Sequence, residues 1–165
     1  MMEPTRPRSG GGVILLTFLG ALTLVLVPLP GELLQQARPE WVALILLYWS
    51  LALPERVGVG IGWLAGLAQD ALLGTLLGQH ALAFAVIAYL ALRLHQPLRL
   101  VPVWQQALVV LGLLLLAQLV ILWINGLIGR PLPGWPTLAS AAVGAALWPL
   151  IFLAMRGLRR RFQVQ

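Results

Sequence analysis

Apolar residues run along the chain in six blocks, at 13–29, 41–53, 57–77, 81–94, 104–128 and 136–155. Between them lie the strings PLPGE, PER, GQH, HQPLR and GRPLPGWP. A helix that crosses a bilayer needs about 20 apolar residues, with about 17 as a lower end. The second and fourth blocks are short for this, and the other four meet it. The pattern predicts an all-α chain with spanning helices at about 13–29, 39–53, 57–77, 80–95, 104–128 and 136–155, and short tails at 1–12 and 156–165. The first block follows Arg6 and Arg8, as a secretory signal would. Its apolar stretch is long for a signal, and PLPGE stands where a small-x-small cleavage site would be, so it reads as a membrane helix.

Composition agrees with the pattern. Of 165 residues, 60% are hydrophobic and only 10% are charged, and the mean hydropathy is +0.91. These values lie far outside the soluble globular range. No polar stretch is long enough for a separate domain, so the chain reads as one integral membrane domain. Cysteine is absent, which removes disulfides, thiolate catalysis and thiolate metal sites.

Charge sets the expected orientation. All eleven basic residues are arginines, against five acids, for a net charge of +6. With the N-terminus in the cytoplasm, Arg6, Arg8, Arg56, Arg93, Arg99, Arg156, Arg159, Arg160 and Arg161 fall inside, and only Arg38 and Arg130 fall outside. Short cytoplasmic loops collect arginine. Nine against two predicts a polytopic protein with six transmembrane helices and both ends cytoplasmic. If the short second block failed to span, the arginines of MRGLRRRF would have to cross. This basic balance suits anionic lipid, at about 1 kcal/mol per arginine near the surface, and not nucleic acid.

One acid, Asp70, lies inside an apolar block. An ionisable group there costs at least a few kcal/mol, so it faces the bundle interior with a partner. Gly58, Gly62, Gly66, Asp70, Gly74 and Gly78 recur every four residues and form one stripe of the third helix. Small residues at this spacing let another helix approach closely. Ser140 and Gly144, four apart in the sixth span, are the expected counterpart. Counting at about 1.5 Å per residue puts Asp70, Gln118 and Tyr48 at one depth, which predicts a buried polar cluster of the three. Asp70 is then a polar pin that fixes register, a partner contact, or a transport or proton-relay group.

Other features carry less. His80 and His95 fall on opposite sides of the predicted membrane and cannot share a metal. No nucleophile, base and orienting group fall together, so no enzyme activity, metal or cofactor is expected. The GGG at 10–12 lacks the strand and lysine of a phosphate loop. Trp41, Trp104, Trp135 and Trp148 lie near block ends, where interfacial anchors sit.

The ordered strings RPEW (38–41), YWSLALPERVGVG (48–60), GLAQDALLGTLLGQHALA (66–83), PVWQQALVV (102–110) and LWPLIFLAMRGLRRRFQVQ (147–165) carry a resemblance. Together they resemble the MreD family of rod shape-determining proteins, in its proteobacterial form, over almost the whole chain. The resemblance implies a multi-pass protein of the bacterial inner membrane that binds MreC. It would work beside MreB, RodZ, and the RodA and penicillin-binding protein 2 pair that makes lateral-wall peptidoglycan, as a non-enzymatic scaffold of cell elongation. It also implies a fold similar to the membrane substrate-binding subunits of energy-coupling-factor transporters. Family motifs fall on Arg38, Pro39 and Trp41, on Pro54, Arg56 and Gly58, and on Asp70, Gly74, Gly78 and Gln79. Glu55 departs from the family pattern, where close relatives often have histidine. The predicted outer loops are short, so contact with MreC would run mostly through its membrane helix. The alternative reading is a membrane subunit that binds a small molecule or lipid intermediate around Tyr48, Asp70 and Gln118.

Overall fold

A computed structural model describes residues 10–165. Among these residues there are helices and connecting turns and no strand. The helices are α1 (Gly11–Leu26), α2 (Glu32–Gln36), α3 (Trp41–Ala52), α4 (Val59–Leu73), α5 (Gln79–Arg99), α6 (Val103–Leu127) and α7 (Trp135–Arg161). The six long helices follow the six apolar blocks. The single turn of α2 lies in a connection that hydropathy left as loop. By length and composition α5, α6 and α7 can each cross a membrane, while α1 and α4 are shorter apolar helices.

The shortest of the six, α3, is the centre of the bundle. Every position from 42 to 51 except the half-buried Ile45 is buried, the behaviour of a helix that is apolar almost all round. Neighbouring helices α1, α4, α5 and α7 surround it. Its Trp49 indole donates to Thr17 Oγ1 at 2.9 Å, which ties it to α1. Tyr48 stacks edge-on against Phe152 of α7 at 5.9 Å. Around this centre α4 packs on α5, α5 on α6 and α6 on α7. The outer helices leave leucines such as Leu16, Leu108 and Leu119 uncovered. Lipid tails are as apolar as leucine, so such a face is at home in a bilayer.

Helix ends depart from the apolar blocks in both directions. Leu53 and Pro54 end α3, since proline disfavours the helical conformation in the residue before it. The α4 helix stops at Leu73 and not at residue 77, because Gly74 takes the left-handed conformation (φ 65°, ψ 26°). The Thr75 amide then bonds back to the Asp70 carbonyl at 3.1 Å, the 6→1 bond of a glycine-ended helix. In contrast α5 runs on to Arg99 and α7 to Arg161, so residues 156–161 continue the helix. Apolar blocks mark where side chains become polar, whereas a helix continues until its backbone bonds find another partner.

Candidate functional site

Asp70 organises the turn between α4 and α5. It sits in the last turn of α4, fully buried. Its Oδ1 accepts from the Thr75 hydroxyl at 2.7 Å and lies 2.7 Å from His80 Nδ1. With the proton on Nδ1, that ring donates to the carboxylate. Oδ2 accepts from the amides of Gly78 at 3.0 Å, His80 at 3.1 Å and Ala81 at 3.4 Å. His80 and Ala81 are the second and third residues of α5, whose N-cap, Gly78, has no side chain to offer. Asp70 therefore caps the next helix from across the turn, accepting the orphan donors that an N-cap serine or aspartate would take. A negative charge there also suits the positive end of the α5 dipole.

The glycine stripe serves the same helix pair. A Cβ on Gly62 would lie 2.9 Å from the Phe84 carbonyl oxygen, and one on Gly66 would overlap the Ala81 backbone. Gly58 faces Leu92. The stripe thus meets α5 and not the small residues of α7. Those pack elsewhere, with a Gly144 Cβ falling 2.9 Å from Leu114 of α6. Gly74 and Gly78 are turn residues with positive φ and open space around them, not part of a packing surface.

Burial of Asp70 agrees with the sequence expectation, and its partners do not. Gln118 donates through Nε2 to Ser140 Oγ of α7. Tyr48 lies among Leu98, Gln106, Trp148 and Arg159, at the end of the bundle where Gly10 meets Val164. The expected cluster of Asp70, Gln118 and Tyr48 does not form: Tyr48 lies at the other end of the bundle, and Asp70 and Gln118 bond instead to His80 and Ser140, which line one cavity. Trp148 is likewise a fully buried core residue and not an interfacial anchor, while Trp104 and Trp135 are exposed. The group that sequence reasoning missed is His80. Its signal was a left-handed glycine at each end of GTLLG, which closes a turn and returns residue 80 to residue 70.

Polar groups gather at the two ends of the bundle. At the end of the 27–40 connection, Arg38 donates to the Val25 and Val27 carbonyls, and Gln69 Nε2 donates to Glu40 at 3.3 Å. A cavity of about 210 Å³ lies there, lined by Arg38, Glu40, Gln69, His80 and Ser140 among others. Gln69 Oε1, Gln79 Oε1 and Gln118 Oε1 are buried without a partner. Trp41, half-buried, opens α3 at this end.

At the opposite end Gly10 meets Val164, and Arg56 donates to the Gln165 carbonyl at 2.5 Å. Arg99 donates to the Leu51 carbonyl at 3.0 Å and the Ala52 carbonyl at 2.9 Å, covering the open C-terminal carbonyls of α3. Gln106 Nε2 donates to the Leu98 carbonyl at 2.9 Å and its Oε1 accepts from Trp148 at 3.4 Å. A cavity of about 420 Å³ opens between these groups. Among the described residues no cluster of three or more His, Cys, Asp or Glu could hold a metal.

Known proteins match this chain over nearly its full length. The family model described as rod shape-determining protein MreD matches residues 8–158. The Rod shape-determining protein MreD of Haemophilus influenzae is 34% identical over 151 residues, covering 92% of this chain and 93% of that protein. No solved structure matches. An apolar helical bundle whose RPEW, PERVG and QDALLGTLLGQ strings all lie at helix ends or in the α4–α5 clasp, matched from residue 8 to 158, belongs to the MreD family of rod shape-determining proteins.

Proposed function

We propose that the chain is a non-enzymatic scaffold of the cell-elongation complex in the bacterial inner membrane. It forms one multi-pass domain that crosses six times with both ends in the cytoplasm. The carrying observation is the match to the family over nearly the whole chain, since that family determines rod shape. In this reading the helices bind the membrane helix of MreC. Through MreC they join MreB, RodZ, RodA and penicillin-binding protein 2 in organising lateral-wall synthesis. The arginines at the chain-terminal end then face anionic cytoplasmic lipid and cytoplasmic partners. A fold likeness to the substrate-binding subunits of energy-coupling-factor transporters adds no function by itself.

The internal packing narrows where MreC can bind. Gly62, Gly66 and Asp70 are occupied by α5 within the chain, so partner contact falls on outward faces such as Leu16 and Leu19 of α1 or Leu119 and Trp123 of α6. Photocrosslinkers placed at 16, 19, 119 and 123 in cells making the whole complex test this. Capture of MreC from one outward face, with only intramolecular crosslinks from 66, is expected. Absence of MreC from every outward position, with the complex intact, would overturn the proposal.

A further inference from the structure

We propose that the cavity at the chain-terminal end of the bundle binds a phosphate group. The space is about 420 Å³, and Arg99, Arg156 and Arg159 line it from two helices with no carboxylate among its lining residues. Three cations converging on one space repel one another unless an anion joins them. Guanidinium forks match phosphate oxygens two at a time. Two of the three arginines are already aimed by the fold. Arg99 is held by the Leu51 and Ala52 carbonyls, and Arg159 Nε donates to the Val164 carbonyl at 3.3 Å. Arg156 makes no hydrogen bond or ion pair to any described residue and is exposed at the rim.

The inner wall adds a second requirement on the ligand. Tyr48 and Trp148 are buried there beside Phe152. Gln106 spends both ends of its amide on Leu98 and Trp148, so it fixes the indole and is not itself a ligand. An aromatic wall behind an arginine rim fits a phosphate ester whose glycerol or sugar portion lies against the rings. The arginine rim continues into a neighbouring cavity that shares Arg156 and Arg159 and adds Arg160. On the orientation proposed above, this level is that of the cytoplasmic headgroups. The phosphate is then supplied by an anionic lipid or by a soluble phosphate ester. The convergence of charge stands without that orientation, and without the MreC reading.

The test uses the full chain in nanodiscs, as wild type, Arg156→Gln, Arg156→Lys and Arg161→Gln. Arg156 is the informative position because no bond to a described residue depends on it, and Arg161 lies on the same helix end but lines neither cavity. Native mass spectrometry counts phosphatidylglycerol retained after transfer to detergent. Thermal unfolding in phosphatidylcholine discs reads the response to inorganic pyrophosphate. Loss of one charge-assisted bond lowers affinity by about tenfold or more. If Arg156→Gln loses retained phosphatidylglycerol to that degree, while Arg161→Gln keeps it and Arg156→Lys keeps part, the site holds a lipid headgroup. The same ranking in pyrophosphate stabilisation, without lipid retention, assigns a soluble phosphate ester. Equal effects at 156 and 161, or no response to either probe in wild type, would overturn the proposal and leave only diffuse surface charge.

Discussion

Replacing Asp70 with alanine removes the acceptor for the amides of Gly78, His80 and Ala81, the Thr75 hydroxyl and His80 Nδ1. A hydrogen bond to a charged group contributes about 1.5–3 kcal/mol, and a buried donor left unpaired costs about 1–3 kcal/mol. These values do not add in full, because alanine also relieves the cost of burying the carboxylate. The net loss is about 3–5 kcal/mol. For a chain of this size that lowers the unfolding midpoint by roughly 10 °C. Asparagine keeps one acceptor oxygen but not the charge, so Asp70→Asn is expected to lose about half as much. Thermal unfolding of the purified protein in detergent, followed by size-exclusion chromatography, reads both. A double-mutant cycle with His80→Ala isolates the side-chain pair and should show coupling of about 1–2 kcal/mol. If Asp70→Ala melts within a degree or two of wild type, the carboxylate does not hold the α4–α5 turn and the capping argument fails.

Gly66→Ala forces a methyl group into the Ala81 backbone, which cannot rotate aside. It is expected to cost about 3 kcal/mol or more by overpacking, read as loss of folded yield, whereas Gly60→Ala meets open space and should be silent. Gln118→Ala and Ser140→Ala break the α6–α7 bond. Each should cost about 0.5–1.5 kcal/mol, and the double variant less than the sum, by the same melting assay. The absence of cysteine allows single-cysteine labelling without background. Cysteines at 56 and 160 should react with a membrane-impermeant maleimide only in opened cells, and one at 130 in intact spheroplasts. Equal labelling from both sides would refute the six-crossing topology.

The sequence by itself determined the bundle's contents and the polarity of its ends. Six apolar blocks became six long helices, because a backbone without water must bond to itself. Asp70 faced inward as expected, because an ionisable group in lipid is too costly to leave unpartnered. Which groups met was decided only by tertiary structure. Depth counting placed Asp70, Gln118 and Tyr48 at one level, but Tyr48 lies at the arginine-rich end beside Arg156 and Arg159 while the Asp70 partner His80 lies at the other end beside Arg38 and Glu40. The five-residue turn at 74–78 forced α4 and α5 side by side. The glycine stripe was therefore filled by Ala81 and Phe84, and Asp70 reached the α5 amides and His80. Ser140 and Gly144 met α6 instead, since α7 follows α6 in the chain and packs on it. Hydropathy gives each helix its apolar character, and four-residue spacing gives it a face. The choice of the opposing face belongs to loop length and to close packing of the whole bundle. The same is true of Trp148, whose place near a block end looked like an interface until α3 and α6 closed over it.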